Sequence, residues 1–303
     1  MSIAHGVRKA AVIGAGQMGL GIAFVSAVHA KVPVLLHDKS PAQVKSGLGL
    51  MDKLLAKDVS KGKLTSEAAK EARDRVSVVD DLKHFRDADL VIEAVAENLT
   101  IKESIFRTLS AELSPKTILA TNTSSISITK IAATAIPQGK TASDPEGKES
   151  AGRVVGLHFF NPVPVMKLVE LIAATQTSQE TLERARAYAI ACGKEVTYSK
   201  DVPGFVANGL LMPFINEAIM MLERGVATRD DIDKTMKLGA NHPMGPLQLA
   251  DFIGLDTCLA IQQTIYHGTG DSKYRPSVLL ERMVDAQWYG RKSGKGFYEY
   301  SKE

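Results

Sequence analysis

A histidine and a carboxylate twelve positions apart, His158 and Glu170, stand near the two ends of the stretch Gly-Leu-His-Phe-Phe-Asn-Pro-Val-Pro-Val-Met-Lys-Leu-Val-Glu (156–170). Residues 154–160 and 165–173 both read as short strands, and Asn-Pro followed by a second Pro marks a reversal between them. A strand–turn–strand of this kind brings its ends back side by side. An imidazole held by a carboxylate is kept in one tautomer and made more basic, which is what a general base for a hydroxyl proton requires. Spacing alone is equally compatible with a core histidine whose hydrogen bond is satisfied, lying beside an unrelated strand-end glutamate.

The elements that would place a cofactor beside such a base lie upstream. Residues 9–14 (Lys-Ala-Ala-Val-Ile-Gly) form a short apolar strand that runs into Gly-Ala-Gly-Gln-Met-Gly (14–19), and an apolar helix follows. Strand, glycine loop and helix in that order are the setting of a dinucleotide-binding turn. Gly14 permits the tight turn, Gly16 admits a pyrophosphate to the backbone, and Gly19 lets the helix pack on the sheet, with Ala15, Gln17 and Met18 completing the loop. The unpaired N–H groups of the helix N-terminus then face the phosphates. A second strand, 32–37, ends at Asp38, where an acid binds the adenosine ribose hydroxyls, and no arginine stands there to receive a 2′-phosphate. The cofactor predicted is NAD rather than NADP.

Further strands over 75–79, 89–95 and 117–121 alternate with helices, the pattern of a parallel doubly wound sheet. The fold class predicted is α/β: a Rossmann-type NAD-binding domain over residues 1–200, then an all-helical C-terminal domain over 201–303, divided at Asp201-Val202-Pro203. Residues 43–75 form a lysine-rich helical insertion, two helices joined near 60–65, with Lys45, Lys53, Lys57, Lys61, Lys63 and Lys70. A solvated face accounts for most of these lysines. An insertion of this size also suits a lobe that holds an anionic part of a substrate. The fifth strand runs into Asn122-Thr123-Ser124-Ser125, small polar side chains at the edge where such sheets bind ligands, although Ser125 and Ser127 read equally as helix N-caps. Residues 137–152 carry almost no large apolar side chain and are expected to form an exposed loop. A helix over 179–192 and a strand over 194–198 complete a mixed sheet. Beyond residue 203 helical periodicity takes over, in segments 205–225, 228–238, 245–263 and 277–287.

Composition narrows the classes. The chain has 303 residues, 45% of them apolar and 23% charged, and 37 basic against 34 acidic side chains give a formal charge of +3. That is the make-up of an ordinary globular protein, too balanced in charge to argue for nucleic acid. The two cysteines, Cys192 and Cys258, lack metal-ligand spacing, so neither a disulfide scaffold nor a metal site is predicted. No apolar run is long enough for a membrane span, the best, 20–36, being broken by His29 and Lys31. Only about ten residues precede the first strand, too few for a signal or transit peptide. The cytoplasm, or the mitochondrial matrix for a chain whose presequence has been removed, is the expected setting.

The motifs together resemble the L-3-hydroxyacyl-CoA dehydrogenase family, including the bacterial-type 3-hydroxybutyryl-CoA dehydrogenases. The matching pieces are Gly-Ala-Gly-Gln-Met-Gly-Leu-Gly-Ile-Ala (14–23), Val-Ile-Glu-Ala-Val-Ala-Glu-Asn (91–98), Asn-Thr-Ser-Ser (122–125), the hairpin 156–170, Asp-Val-Pro-Gly-Phe (201–205) and Gly-Lys-Gly-Phe-Tyr (294–298). They occur in family order over nearly the whole chain. The resemblance implies that His158 is the catalytic histidine and Glu170 its partner, with Ser124 and Asn208 near the substrate's 3-oxygen. It implies cofactor contacts from the glycine loop, Asp38, Glu97, Lys102 and Ser124, and from Asn161 and Lys292 near the nicotinamide. It places coenzyme A phosphates near Lys53 and Lys57, with Ser124 also at the substrate, and implies a homodimer through the C-terminal domain. One departure is Gly209, where the family commonly has arginine.

The activity this implies is NAD-dependent interconversion of (S)-3-hydroxyacyl-CoA and 3-oxoacyl-CoA. Two other readings stand beside it: a related NAD enzyme of the L-gulonate 3-dehydrogenase type, which also has a histidine–glutamate pair, and a non-catalytic NAD(H)-binding protein on the same scaffold. Fold alone does not separate them.

Overall fold

In the computed structural model, which describes residues 5–300, the central strand β1 (Ala10–Ile13) is buried along its whole length. Continuous apolar burial is what a parallel strand covered on both faces demands. From there the chain runs through α1 (Gln17–Val25), β2 (Val34–His37), α2 (Pro41–Ser60), α3 (Ser66–Asp74), β3 (Val76–Val78), β4 (Leu90–Glu93), α4 (Leu99–Glu112) and β5 (Ile118–Thr121). It continues with α5 (Ile128–Thr134), α6 (Pro145–Gly152), β6 (Val154–Phe159), β7 (Leu168–Ala173), α7 (Gln179–Ala191) and β8 (Glu195–Lys200). The eight strands lie in the order β3-β2-β1-β4-β5-β6-β7-β8, and all neighbours are parallel except β6 and β7.

The strand order reverses beside β1, which has β2 on one side and β4 on the other; ligand crevices in such sheets open at that point. Ile13, His37, Glu93 and Thr121 are register neighbours along one carboxyl edge. Thr121 pairs with Gly156, so β6 runs on past that edge and carries His158 beyond it.

The chain divides into two compact units between Val202 and Pro203. The second unit is helical, with α8 (Ala207–Glu223), α9 (Arg229–Gly239), α10 (Pro246–Ile253), α11 (Leu255–Thr269) and α12 (Val278–Asp285). It has an apolar core of its own that includes Ile215, Ile219, Leu247, Leu255 and Ile265. Among the described residues no helix is long and apolar enough to cross a membrane, and no group of three or more His, Cys, Asp or Glu side chains is placed to hold a metal ion.

Two local expectations are corrected. The stretch 137–152 is not a loop throughout, because its second half is α6. Asp144 stands at the N-cap position of that helix without a side-chain capping bond, Pro145 occupies its first turn, and the Thr141 N–H and hydroxyl both donate to the Asp144 carboxylate. Its buried residues are Gly147, Ala151 and Gly152, and a Cβ at Gly147 would stand 1.9 Å from the Thr141 carbonyl oxygen. Close backbone packing excludes the large apolar side chains whose lack suggested a loop. The single helix expected over 245–263 is likewise two, α10 and α11, separated at Gly254 with φ of 104°.

Candidate active site

The β6–β7 ladder sets His158 opposite Glu170 as Cα partners, with Leu157 opposite Leu171 and Phe159 opposite Val169. Both side chains are enclosed, at 5% and 1% exposure, and His158 Nδ1 lies 2.9 Å from Glu170 Oε2. A buried carboxylate accepts but does not donate, so Nδ1 carries the proton and Nε2 is left as an acceptor. The Ser124 hydroxyl lies 3.0 Å from Nε2 and donates to it in that tautomer. A basic nitrogen is thus oriented from behind and faces a hydroxyl in front.

The turn that presents Ser124 follows β5. Glu97 Oε1 accepts from the Thr123 hydroxyl, from the Ser124 N–H at 3.0 Å, and from the N–H and hydroxyl of Ser125. Ser125 is therefore tied to Glu97, whereas Ser127 is the N-cap of α5 and also donates to Asp201. Burial tends to raise the Glu97 carboxyl, but Lys102 and the donors of the turn outweigh it and hold the group below its ordinary value. Asn122 accepts from the Phe159 N–H at 2.8 Å and so joins the turn to β6.

Lys102 lies deeper than a lysine on an amphipathic helix ordinarily does. Its side chain has no accessible surface, and its ammonium lies 2.7 Å from Glu93 Oε1 and 3.5 Å from Glu97 Oε2. From that position its ammonium touches Glu97, the carboxylate that gathers the 123–125 turn. Glu93 escaped the sequence reading, although a lone acid ending an otherwise apolar strand is a signal in itself: a buried charge needs a partner.

The glycine loop fits a dinucleotide on the chain's own geometry. Gly14 has φ of 105°, and a Cβ there would meet the Ala94 carbonyl oxygen at 2.5 Å. A Cβ at Gly19 would stand 1.9 Å from the Gly14 carbonyl oxygen, so both glycines are required by the fold itself. Gly16 differs, since a Cβ there would find only Gln43 Nε2, at 3.9 Å. Gly16 is also the N-cap of α1 and supplies no side-chain cap, which leaves the helix's first N–H groups without a side-chain acceptor there. Open space above uncapped N–H groups suits a phosphate. Gln17 and Met18 open α1, and Ala15 donates its N–H to Asp38 Oδ2 at 2.8 Å, while Asp38 Oδ1 accepts from the Ser40 N–H. The acid at the end of β2 is thereby fixed beside the loop.

The hairpin turn packs on the same helix: a Cβ on Gly21 of α1 would lie 2.7 Å from Val163 Cβ. Lys194, another residue the sequence reading missed, is buried and donates to the carbonyls of Val163 and Met166. Asn161 is exposed where β6 enters the turn. Lys53 and Lys57 are exposed on α2, one helical turn apart, and neither forms an ion pair among the described residues. In the second unit, Asn208 is buried in the first turn of α8, and Lys292 is paired with Asp256 at 2.6 Å. Burial pushes both cysteine thiols up to about 12, which removes them as nucleophiles near neutral pH.

A glycine turn at a switch point, an acid after β2 and an oriented histidine at the same sheet edge define a Rossmann-type, NAD-dependent dehydrogenase. Comparison with known proteins narrows the class. The family "3-hydroxyacyl-CoA dehydrogenase, NAD binding domain" matches residues 9–202, and "3-hydroxyacyl-CoA dehydrogenase, C-terminal domain" matches 204–300. The chain is 48% identical over 295 residues to a 3-hydroxybutyryl-CoA dehydrogenase of Bradyrhizobium diazoefficiens, covering 97% of this chain and 96% of that one. It is 39% identical over 306 residues to the human mitochondrial hydroxyacyl-coenzyme A dehydrogenase, covering 97% and 91%. The crystal structure of an (S)-3-hydroxybutyryl-CoA dehydrogenase from Ralstonia eutropha superposes with a TM-score of 0.90 at 43% identity, covering 98% of this chain and 100% of that one. The chain belongs to the 3-hydroxyacyl-CoA dehydrogenase family.

Proposed function

We propose that this chain interconverts (S)-3-hydroxyacyl-CoA and 3-oxoacyl-CoA with NAD, with 3-hydroxybutyryl-CoA and acetoacetyl-CoA as the first pair to test. The observation that carries the proposal is the Glu170–His158–Ser124 row, its first two members enclosed, which leaves one basic nitrogen facing a hydroxyl at the sheet edge. In the oxidative direction His158 Nε2 accepts the 3-hydroxyl proton, while Glu170 holds Nδ1–H and balances the imidazolium charge. In the reverse direction the imidazolium returns that proton to the ketone oxygen. Ser124 donates to the 3-oxygen as negative charge develops there, and the same role is proposed for Asn208. The bound nicotinamide supplies the hydride acceptor, or the donor in reverse.

The glycine loop, Asp38 and Glu97 hold the cofactor, with Asn161 and Lys292 at its nicotinamide end. Lys53 and Lys57 meet the coenzyme A phosphates as exposed cations. Two copies pair through the helical unit, whose exposed Leu210, Leu238, Phe252 and Val278 favour such a contact. The setting is the cytoplasm or the mitochondrial matrix. Initial rates of NADH oxidation with acetoacetyl-CoA and with free acetoacetate, beside L-gulonate oxidation with NAD, test the reading. Turnover confined to the CoA ester supports it. Turnover of L-gulonate alone overturns it, and silence on all three with NADH still bound makes the chain a nucleotide-binding protein.

A further inference from the structure

We infer that the enclosed ion pair Glu93–Lys102 is a positioning device: it pins Glu97, and through Glu97 the 123–125 turn that presents Ser124 to His158. The inference rests on the function proposed above.

Neither member of the pair has accessible surface. Removing two charges from water costs more than their attraction commonly returns, and apolar residues of equal volume often stabilise as well or better. A role other than stability is therefore called for, and the contacts supply one. Glu93 and Thr121 are register partners at the ends of β4 and β5. Glu93 Oε1 accepts from Lys102 Nζ and from the Val95 N–H, each at 2.7 Å, and Oε2 accepts from the Thr121 hydroxyl at 2.7 Å. Bonds from a strand, a loop and a helix hold the carboxylate in one place.

Lys102 then reaches to Glu97 Oε2, on the side away from the turn's donors, all of which converge on Oε1. Such convergence needs an ionised carboxylate at a fixed position. The Glu97 side chain is 39% exposed, and a buried cation on its second oxygen adds an anchor that the donors on Oε1 do not supply. Ser124 is the next member of the row, with its hydroxyl 3.0 Å from His158 Nε2. Glu93 and Lys102 touch none of the reacting atoms and act through Glu97 and Ser124.

The full-length Glu93→Gln protein tests the inference. Its kcat for acetoacetyl-CoA reduction is expected to fall about 10–100-fold, the scale of a misplaced catalytic group, with KM for acetoacetyl-CoA within about two-fold. In Glu93→Gln/Ser124→Ala the kcat is expected within about two-fold of Ser124→Ala alone, because positioning a hydroxyl that is no longer there has no effect. Hydrogen exchange should show the Ser124 and Ser125 amides losing protection while those of β1 keep theirs. Should the single variant fold poorly, Glu93→Gln/Lys102→Met removes both enclosed charges and is expected to show the same losses. Unchanged kcat, multiplicative effects in the Ser124 double variant, or unchanged exchange at 124–125 would each overturn the inference. If the unaltered protein is silent on CoA esters the substrate reading fails, whereas the amide exchange still decides the positioning role.

Discussion

His158 and Glu170 are Cα register partners across the antiparallel β6–β7 ladder, and their side chains meet at 2.9 Å on one face of it. A one-residue slip of either strand would turn one of them to the other face, so everything that fixes the intervening turn also fixes the pair. Lys194 is the main polar clamp on that turn, through the Val163 and Met166 carbonyls. Lys194→Met is expected to leave both carbonyls short of a donor, to cost about 1–3 kcal/mol in urea unfolding, and to lower kcat. Unaltered urea midpoint and kcat would show that the turn needs no clamp.

The glycine loop separates demands of the fold from demands of the ligand. Gly16 has ordinary extended backbone angles (φ −67°, ψ −178°) and room for a methyl group, whereas a Cβ at Gly19 meets backbone at 1.9 Å. Gly16→Ala is expected to unfold at the wild-type temperature but to bind NADH about ten-fold more weakly or worse, its methyl group standing where the phosphates approach. Gly19→Ala is expected to lose thermal stability itself. Calorimetry and NADH fluorescence titration distinguish the two cases.

Glu97 makes a pH prediction with a definite sign. Burial raises its carboxyl, Lys102 and the turn's donors more than reverse this, and the net value lies below the ordinary 4.5. A carboxyl depressed by folding contributes stability that is complete above its unfolded value and is lost as pH falls through the folded one. Below about pH 5 the wild-type urea midpoint is therefore expected to fall more steeply with decreasing pH than that of Glu97→Gln. Parallel curves would contradict the assignment.

Lys53 and Lys57 stand one turn apart on the exposed face of α2, and their proposed role is to meet the coenzyme A phosphates. Reversing both to glutamate is expected to raise KM for acetoacetyl-CoA about ten-fold at low salt, with a smaller effect at high salt as screening removes the attraction. The KM for an acetoacetyl thioester without the nucleotide should stay as it is. A parallel rise for both thioesters would move the phosphate contact elsewhere.

What was legible in the sequence was local. The strand–glycine–helix order of residues 9–29, the acid after β2, and the two strands around Asn-Pro-Val-Pro are short-range patterns, and each yields geometry without knowledge of distant contacts. The mixed sheet and the helical second half follow from periodicity in the same way. The burial of Lys102 was not legible, because a lysine on an amphipathic helix ordinarily faces water; its inward turn depends on Glu93, nine residues earlier and on a different element. Lys194 was hidden for a similar reason, since its acceptors are backbone carbonyls nearly thirty residues away or more, which carry no residue-type signal. Helix α6 was missed because its packing is made of glycine and alanine against backbone.

The role proposed for Glu170 is to keep His158 in the tautomer and orientation that moves the substrate proton. Its most direct measurement is kcat for acetoacetyl-CoA reduction by Glu170→Gln, read beside the NADH dissociation constant and the unfolding temperature. A kcat lower by about 10²–10⁴-fold is expected, with NADH binding and folding retained. Turnover near that of the wild type in a folded, NADH-binding variant would contradict it.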